Sequence, residues 1–590
     1  MKRLHNEMKF GTHTIPRVSS FKLLGVIIDD KLSWQPHIND LLTKCFQALN
    51  ILKSICRVWW GADPLTCLML YKALVRSRID YSSFLFANTA DSRWKKVERI
   101  QNSALRLILG AFPSTPIPAL QAEAGVPPLR VRAQLLADKY ILKNLSKQHH
   151  PLMGQLRIIK QNLLINSPYW LSHNVPLLVI SYSRYEAHIN SLKVYSVLPC
   201  FMGPVELLQH HIPTLCSPVS QVDRNVTNLP CQISLKFIDD NVPNFKRIFT
   251  DGSKTKEGVG AAFWDQYSNF DGKYKLQKIC TIFTAEAFAI SRALSHIGNS
   301  DVNSYAVLTD SKSVVQALQG DLLNANTNFL LHEIKIKHMH LKNRGFKITI
   351  IWIPSHCSIA GNDRADELAK DAIITGTTTD FKPPYSDYLS LANLHLKSSW
   401  RENWQLSWEA ITHRRKPEFA NQPSWYQQVQ PSLPDNPLEP WFKNINRTRE
   451  FYSTITRLRI GHCCAPSHIK RIDIDPEASC ECGLLAATLQ HMVFECNIAL
   501  AQRAELIQAL ERLTTAPPPG EHWSLINLLK KNNPNILDSL FRFIKSTNMP
   551  TVYNSRLILP LVFTMAYKPH HIPRRASWSE DITLSLSMPY

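Results

Sequence analysis

Between residues 245 and 375 the apolar positions switch between a period of two and a period of three to four. Lys246–Asp251, Gly258–Asp265 and Lys273–Cys280 read as strands, and Thr284–Ile297 as a helix. Ser304–Thr309 is apolar on both faces, which predicts a central strand. Short helices follow, then a strand over Lys347–Ile353 and a helix from about Gly361. Three consecutive strands followed by alternation predict a mixed five-stranded sheet with helices packed on its faces.

The flanks carry other patterns. Over 1–150 two strand-like runs, Phe21–Ile28 among them, precede helices. Trp94, Val97, Gln101, Ala104 and Ile108 step at helical spacing beside Arg93, Lys96, Arg99 and Arg106. Residues 151–244 are irregular with scattered prolines and read as a connector. Residues 376–444 are rich in Pro and Trp; Trp400, Trp404 and Trp408 share one helix face, read as packing. A cysteine cluster occupies 445–516. Pro517-Pro518-Pro519-Gly520 breaks the chain before a last helical stretch, Trp523–Ser546, within a C-terminal tail, 517–590. Residues 550–590 show no usable pattern. The expected architecture is thus α/β and multidomain: a mainly helical basic region, the mixed sheet, and a helical region with a Cys/His cluster.

Charge sharpens this picture. The 590 residues hold 67 Lys and Arg against 47 Asp and Glu, a net +20. Residues 1–150 hold 22 basic against 10 acidic residues and so carry most of the excess; 245–375 hold 16 against 13 and keep their carboxylates. A basic segment gains affinity for a polyanion by releasing phosphate counterions, and it also reads as a solvated surface. Apolar content of 44% excludes a wholly disordered chain. No run approaches a membrane span, and Met1-Lys2-Arg3-Leu4-His5 leads into no apolar signal core. The thirteen cysteines, mostly far apart, fit reduced thiols inside a cell, with nucleus and cytoplasm both open.

Four acids stand out by context. Asp251 ends a strand before Gly252-Ser253. Glu286 lies on the helix face of Ile290, Ala293 and Ile297, which packs on the sheet. Asp310 ends the central strand, and Asp366 sits in the first turns of the last helix. Each alone also reads as a capping or surface carboxylate. Clustered at one sheet edge they would repel one another, and a pair of Mg²⁺ or Mn²⁺ ions relieves such repulsion with hard oxygen ligands. His356, in the loop after Ile351-Trp352-Ile353, is an imidazole able to move protons nearby, or a bland loop histidine.

The ordered runs Thr250-Asp251-Gly252-Ser253, Thr284-Ala285-Glu286 and Thr309-Asp310-Ser311, then His356 and Asn362-Asp363-Arg364-Ala365-Asp366-Glu367-Leu368-Ala369, resemble ribonuclease H of the cellular type. The resemblance covers roughly 130 residues. It implies a two-metal endonuclease that cuts RNA paired to DNA, leaving 3′-hydroxyl and 5′-phosphate ends. Asp251, Glu286, Asp310 and Asp366 would bind the metals, His356 would serve catalysis, and Ser253 and Asn362 would contact or position substrate. Asp363 occupies the family's neighbouring acidic position, not a metal position.

Phe21–Asp29, continuing through Leu32-Ser33-Trp34 to His37-Ile38, resembles the region just past the polymerase active site of non-LTR retrotransposon reverse transcriptases, and the helices after it resemble thumb and connection. Asp29-Asp30 lacks the Tyr/Phe-x-Asp-Asp hairpin of that family's polymerase site, so no polymerisation is expected. Arg93, Lys96, Arg99 and Arg106 would grip nucleic acid. Cys480, Cys482, His491 and Cys496 have the ligand types and spacing of a closed, structural Zn²⁺ site. They also resemble the knuckle downstream of ribonuclease H in jockey-like non-LTR elements. His462, Cys463 and Cys464 are alternative ligands of lower rank. There is no phosphate-binding Gly-rich loop with Lys and Ser/Thr, no paired-His zinc-protease motif at His332-Glu333, and no Gly-x-Ser-x-Gly elbow. The expected activity is hydrolysis of the RNA strand of an RNA–DNA hybrid; other duplex or single-stranded nucleic acid is a further partner class, and no membrane is. Two alternatives stay open: a nucleic-acid-binding relic without turnover, and a DNA nuclease or transposase on a related fold.

Overall fold

The computed structural model describes residues 9–165, 174–195, 210–219, 229–320, 328–414, 423–463, 465–472, 474–518 and 521–547. The described residues of Met1–Pro36, Ile79–Trp94 and Pro128–Glu402 form one compact unit. Those of His37–Arg78, Lys95–Pro127 and Asn403–Tyr590 form a second. Residues 1–150 therefore contribute to both.

The first unit is built on a sheet whose strands are, in chain order, β1 (Thr214–Cys216), β2 (Lys246–Lys254), β3 (Val259–Asp265), β4 (Phe270–Leu276), β5 (Ser304–Thr309), β6 (Lys347–Trp352) and β7 (Thr377–Thr378). Their order across the sheet is β7-β4-β3-β2-β5-β6-β1. The pairs β2–β3 and β3–β4 are antiparallel and the rest parallel, so the sheet is mixed as the pattern predicts. It has seven strands rather than the five expected. The extra two, β1 and β7, cap its edges from outside 245–375. At three and two residues they are too short to leave a period in the sequence.

Five helices follow the strands: α1 (Ile282–Ile297), α2 (Lys312–Gln319), α3 (Phe329–Asn343), α4 (Ala360–Thr375) and α5 (Tyr385–His413). Strand β5 shows why the layers form. Tyr305 and Val307 join α1 and α3 in one buried cluster. Ala306 and Leu308 join Ala365 of α4 and Ile238 in another. A strand covered on both faces must be apolar at every position.

The connector expected over 151–244 is partly regular, with helices Pro151–Leu164, Leu177–Tyr185 and Leu229–Asn241. The prolines that suggest irregularity there include helix starters: Pro151 begins its helix, where a missing N–H costs nothing. The buried Asp138 accepts from Ser181, Arg184 and Tyr185, tying helix Leu177–Tyr185 to Leu129–Leu145. The strand-like run Phe21–Ile28 is a hairpin, Ser20–Leu23 with Val26–Asp29, because Leu24 and Gly25 both take positive φ and close a tight turn.

The second unit is helical. Along helix Asp91–Leu109, Val97, Gln101, Ala104 and Ile108 are all buried, as the spacing predicts. The Arg449 guanidinium donates to the carbonyls of Arg57, Leu107 and Ile108. Arg459 forms a two-point ion pair with Glu123, at 2.8 and 3.0 Å, and the Tyr426 hydroxyl donates to the same carboxylate at 2.9 Å. All three side chains are buried. Trp404 and Trp408 pack around the Tyr426 ring, consistent with a packing role for that stripe. The last helical stretch is two helices, Leu525–Lys531 and Pro534–Ser546, because Asn532 turns left-handed and Pro534 starts anew.

Candidate functional site

Register sets the site. Thr250 of β2 lies opposite Thr309 of the parallel β5, so Asp251 and Asp310, one residue on, emerge side by side. Helix α1 crosses close above. A Cβ placed on Gly252 would lie 2.7 Å from the Glu286 nitrogen and 2.8 Å from Ala285 Cβ. Only glycine lets the first turn of α1 settle on β2, and the Gly252 N–H then reaches the carboxylates of both Asp251 and Glu286. One oxygen from each of Asp251, Glu286 and Asp310 lies within 4.8 Å of the others.

These three carboxylates are poorly neutralised by protein. Burial, with the charges of Asp310 and Asp366, pushes Asp251 up to about 7. Burial and the same kind of crowding, from Asp251 and Asp310, hold Glu286 well above the usual carboxylate range. Asp310 is raised by burial too, although the Asn362 amide donates to it and His356 lies within electrostatic reach. The Glu286 Oε2 is buried and has no hydrogen-bond partner. An acceptor-only cluster with an unpartnered buried oxygen suits a divalent cation with hard oxygen ligands.

Asp366 stands apart from the three. It lies on α4 within electrostatic reach of Asp251 and Asp310, but its carboxylate pairs with Lys370 Nζ at 2.6 Å, one turn on. Lys370 was not singled out by sequence; its spacing of four from Asp366 is the signal for it. His356 is exposed, and both it and Ser358 take positive φ, which bends the loop after β6 back toward the strand ends. Asn362 is buried, and its Oδ1 has no partner. Ser253 follows the glycine on β2, opposite Gly260.

The sequence matches the RNase H family over residues 244–374. Those residues are a ribonuclease H domain. A solved ribonuclease H1 from the halophilic archaeon Halobacterium salinarum is also similar, at 22% identity, covering 22% of this chain and 98% of the archaeal one with a TM-score of 0.18. The chain is further similar to a putative 115 kDa protein in the type-1 retrotransposable element R1DM of Drosophila melanogaster, with 26% identity over 138 residues. That stretch is 23% of this chain and 14% of the relative. The chain thus spans about one seventh of the length of that relative.

Outside the ribonuclease H domain the structure assembles the second predicted cluster. Ligand atoms of Cys480, Cys482, His491 and Cys496 all lie within 4.8 Å of one another. Cys480 and Cys496 sulfurs are 3.6 Å apart, and Cys482 Sγ is 3.3 Å from His491 Nε2. Gly483 takes φ +87°, and its N–H returns to the Cys480 carbonyl at 2.8 Å, so the two cysteines flank a tight turn. The Leu484 N–H, with help from His491, lowers Cys482 to about 7, whereas burial pushes Cys480 up to about 11. Of the lower-ranked ligands, His462 meets Ser114 Oγ, and neither it nor Cys463 belongs to the group of four. Cys464 lies outside the described residues.

The four basic residues singled out beyond the ribonuclease H domain divide into two pairs. Arg93 is held by Gln35 and the Ser33 carbonyl, and Arg106 by the Thr115 carbonyl. Lys96 and Arg99 are exposed. No helix among the described residues is long and apolar enough to cross a membrane.

Proposed function

We propose that this chain hydrolyses the RNA strand of RNA–DNA hybrids at the cluster of Asp251, Glu286 and Asp310. The observation that carries the reading is the convergence of these three carboxylates within 4.8 Å with one buried oxygen left unpartnered. A bound pair of Mg²⁺ or Mn²⁺ ions supplies charge neutralisation, a water made nucleophilic near neutral pH, and stabilisation of both oxygens of an in-line displacement.

The chain's own residues do the rest. Asp251, three residues before the end of β2, and Asp310, just past β5, present oxygens side by side, and Glu286 closes the set from above. Asn362 keeps one Asp310 oxygen oriented through its amide. Asp366 joins the set on release from Lys370, a partly exposed pair of small energetic worth. The exposed imidazole of His356, on its left-handed loop, carries a proton to the departing 3′-oxygen. Ser253, half-buried beside Gly252, is the residue proposed to meet the substrate, and contacts across the minor groove to 2′-hydroxyls select RNA. Lys96 and Arg99 add sequence-independent contacts to phosphate. Cys480, Cys482, His491 and Cys496 hold one structural Zn²⁺, their four ligands leaving no open position.

The test is cleavage of a labelled RNA–DNA hybrid by the whole chain with Mg²⁺ or with EDTA, beside duplex DNA and duplex RNA. Cutting of the hybrid's RNA strand alone, abolished by EDTA and by Asp310→Asn, is the expected result. Equal cutting by wild type and Asp310→Asn removes the acidic site from the reaction, and preferential cutting of duplex DNA assigns the other substrate class.

A further inference from the structure

Eleven residues past the ribonuclease H match, α5 begins, and its first turn reaches back to the start of α1. Asp387, in its first turn, is 1% exposed. Its carboxylate accepts three hydrogen bonds, all from the start of α1: the Thr281 N–H at 3.2 Å, the Thr281 hydroxyl at 3.1 Å and the Thr284 hydroxyl at 2.9 Å. Thr281 is the N-cap of that helix, and its side chain in turn accepts from the Thr284 N–H. Lys254 Nζ holds the preceding carbonyl, Cys280, at 2.6 Å. A buried carboxylate at a helix N-terminus both completes the free N–H groups and meets the favourable end of the helix dipole. Glu286 stands two residues beyond Thr284.

The segment that carries Asp387 is fixed to the sheet before it gets there. Thr377 and Thr378 pair with Tyr274 and Lys275 as β7. The Phe381 ring packs on Phe288 of α1 at 4.9 Å and on Phe329, while its carbonyl accepts from Gln277. Lys193 N–H donates to the Pro383 carbonyl, and the Tyr388 hydroxyl meets Ser191. Asp387 thus hangs from a support braced by β4, Lys193 and Ser191 as well as by the middle of α1.

We propose that Asp387 is a positioning residue for Glu286, setting the height at which the first turn of α1 stands over β2, so that the catalytic unit extends past residue 374 into α5. This rests on the reading of Glu286 as a metal-holding carboxylate. The three bonds lock the turn whose Gly252 contact leaves no slack, and loss of them lets that turn lift or fray.

The experiment compares the whole chain with Asp387→Ala and Asp387→Asn, by amide hydrogen exchange and by hybrid cleavage. In Asp387→Ala, exchange over Thr281–Glu286 is expected to speed up by about 10-fold or more while β5 keeps its protection. Its kcat should fall about 10- to 100-fold, as for a displacement near 1 Å, with KM within about twofold. Asp387→Asn keeps one acceptor oxygen and should restore much of both. Wild-type exchange over Thr281–Glu286 in Asp387→Ala overturns the proposal. So does loss of protection throughout the sheet, which would make Asp387 a general stabilising residue, and so does an unchanged kcat beside an active wild type. A wild-type chain that cuts no hybrid refutes the hydrolytic reading instead, and the exchange comparison then decides by itself whether Asp387 sets α1.

Discussion

Gly252→Ala adds one methyl group at the tightest point of the acidic site. The new Cβ would sit 2.7 Å from the Glu286 nitrogen, 2.8 Å from Ala285 Cβ and 2.9 Å from the Ala285 carbonyl carbon, whereas ordinary contact begins at 3.4 Å. Two of the three obstacles are helix backbone, which cannot rotate away, so the start of α1 must rise by about 0.7 Å, the difference between 2.7 and 3.4 Å. Overpacking of this kind costs about 1–3 kcal/mol of stability. Glu286 rides on the lifted turn, so its oxygen leaves the cluster by a comparable distance, and a misplacement near 1 Å costs about 100-fold in rate. The assay is kcat on a labelled RNA–DNA hybrid together with a thermal melt. Gly272→Ala, on β4 and two strands from β2, is the control: its Cβ would meet the Phe263 ring at 2.4 Å, with no contact to α1 among its three nearest atoms. It should cost similar stability and leave kcat per folded molecule within about threefold. Wild-type kcat in folded Gly252→Ala, or equal kcat losses in the two variants, refutes the argument that this glycine sets the height of Glu286.

Three further outcomes follow from the same structure. Asp251 is raised from 3.8 to about 7 in the folded chain, so without divalent cations the folded state holds a proton that the unfolded state has lost. That contribution is full below about pH 4 and gone above about pH 7; Asp251→Asn should therefore gain on wild type, by roughly 1 kcal/mol or more, between pH 5 and pH 8 in EDTA melts, and an unchanged difference refutes it. Purified chain should carry about one zinc by elemental analysis, and Cys482→Ala should lose it together with protection near His491; zinc retained at wild-type stoichiometry counts against the four-ligand site. Arg459→Met should cost about 3–5 kcal/mol by leaving Glu123 buried and unpaired, and Glu123→Leu in the same chain should recover much of it; additive losses would show that the pair is not coupled.

The sheet and its acids were legible because each rests on local pattern. The double-sided apolar run of Ser304–Thr309 predicts a covered strand; Asp-Gly-Ser reads as a strand end but is itself strand, because pairing with β3 carries β2 on to Lys254. What was illegible depends on partners far away in sequence. β1 and β7 are strands only because β6 and β4 offer open edges, and two or three residues carry no period. Helix α1 starts at Ile282 rather than Thr284, since Thr281 is its cap and Asp387, 106 residues on, holds that cap. The attachment of Asp366 to Lys370 is a choice of rotamer, which spacing permits but does not dictate. Pro151 lies in a stretch read as irregular and begins a helix, while Pro534, inside a stretch read as one helix, starts a second one.

The second unit is drawn from His37–Arg78, Lys95–Pro127 and the described residues from Asn403 on, and its central ion pair joins residues 336 apart. During synthesis its early helices emerge first and wait for about 300 residues before Arg459 exists to meet Glu123. At roughly 5–20 residues per second that interval is about 15–60 s. Throughout it Glu123 has no counter-ion, and until Arg449 is made the carbonyls of Leu107 and Ile108 lack the guanidinium they accept from. A ribosome halted anywhere before Arg459 therefore releases a product that lacks the buried partner of Glu123.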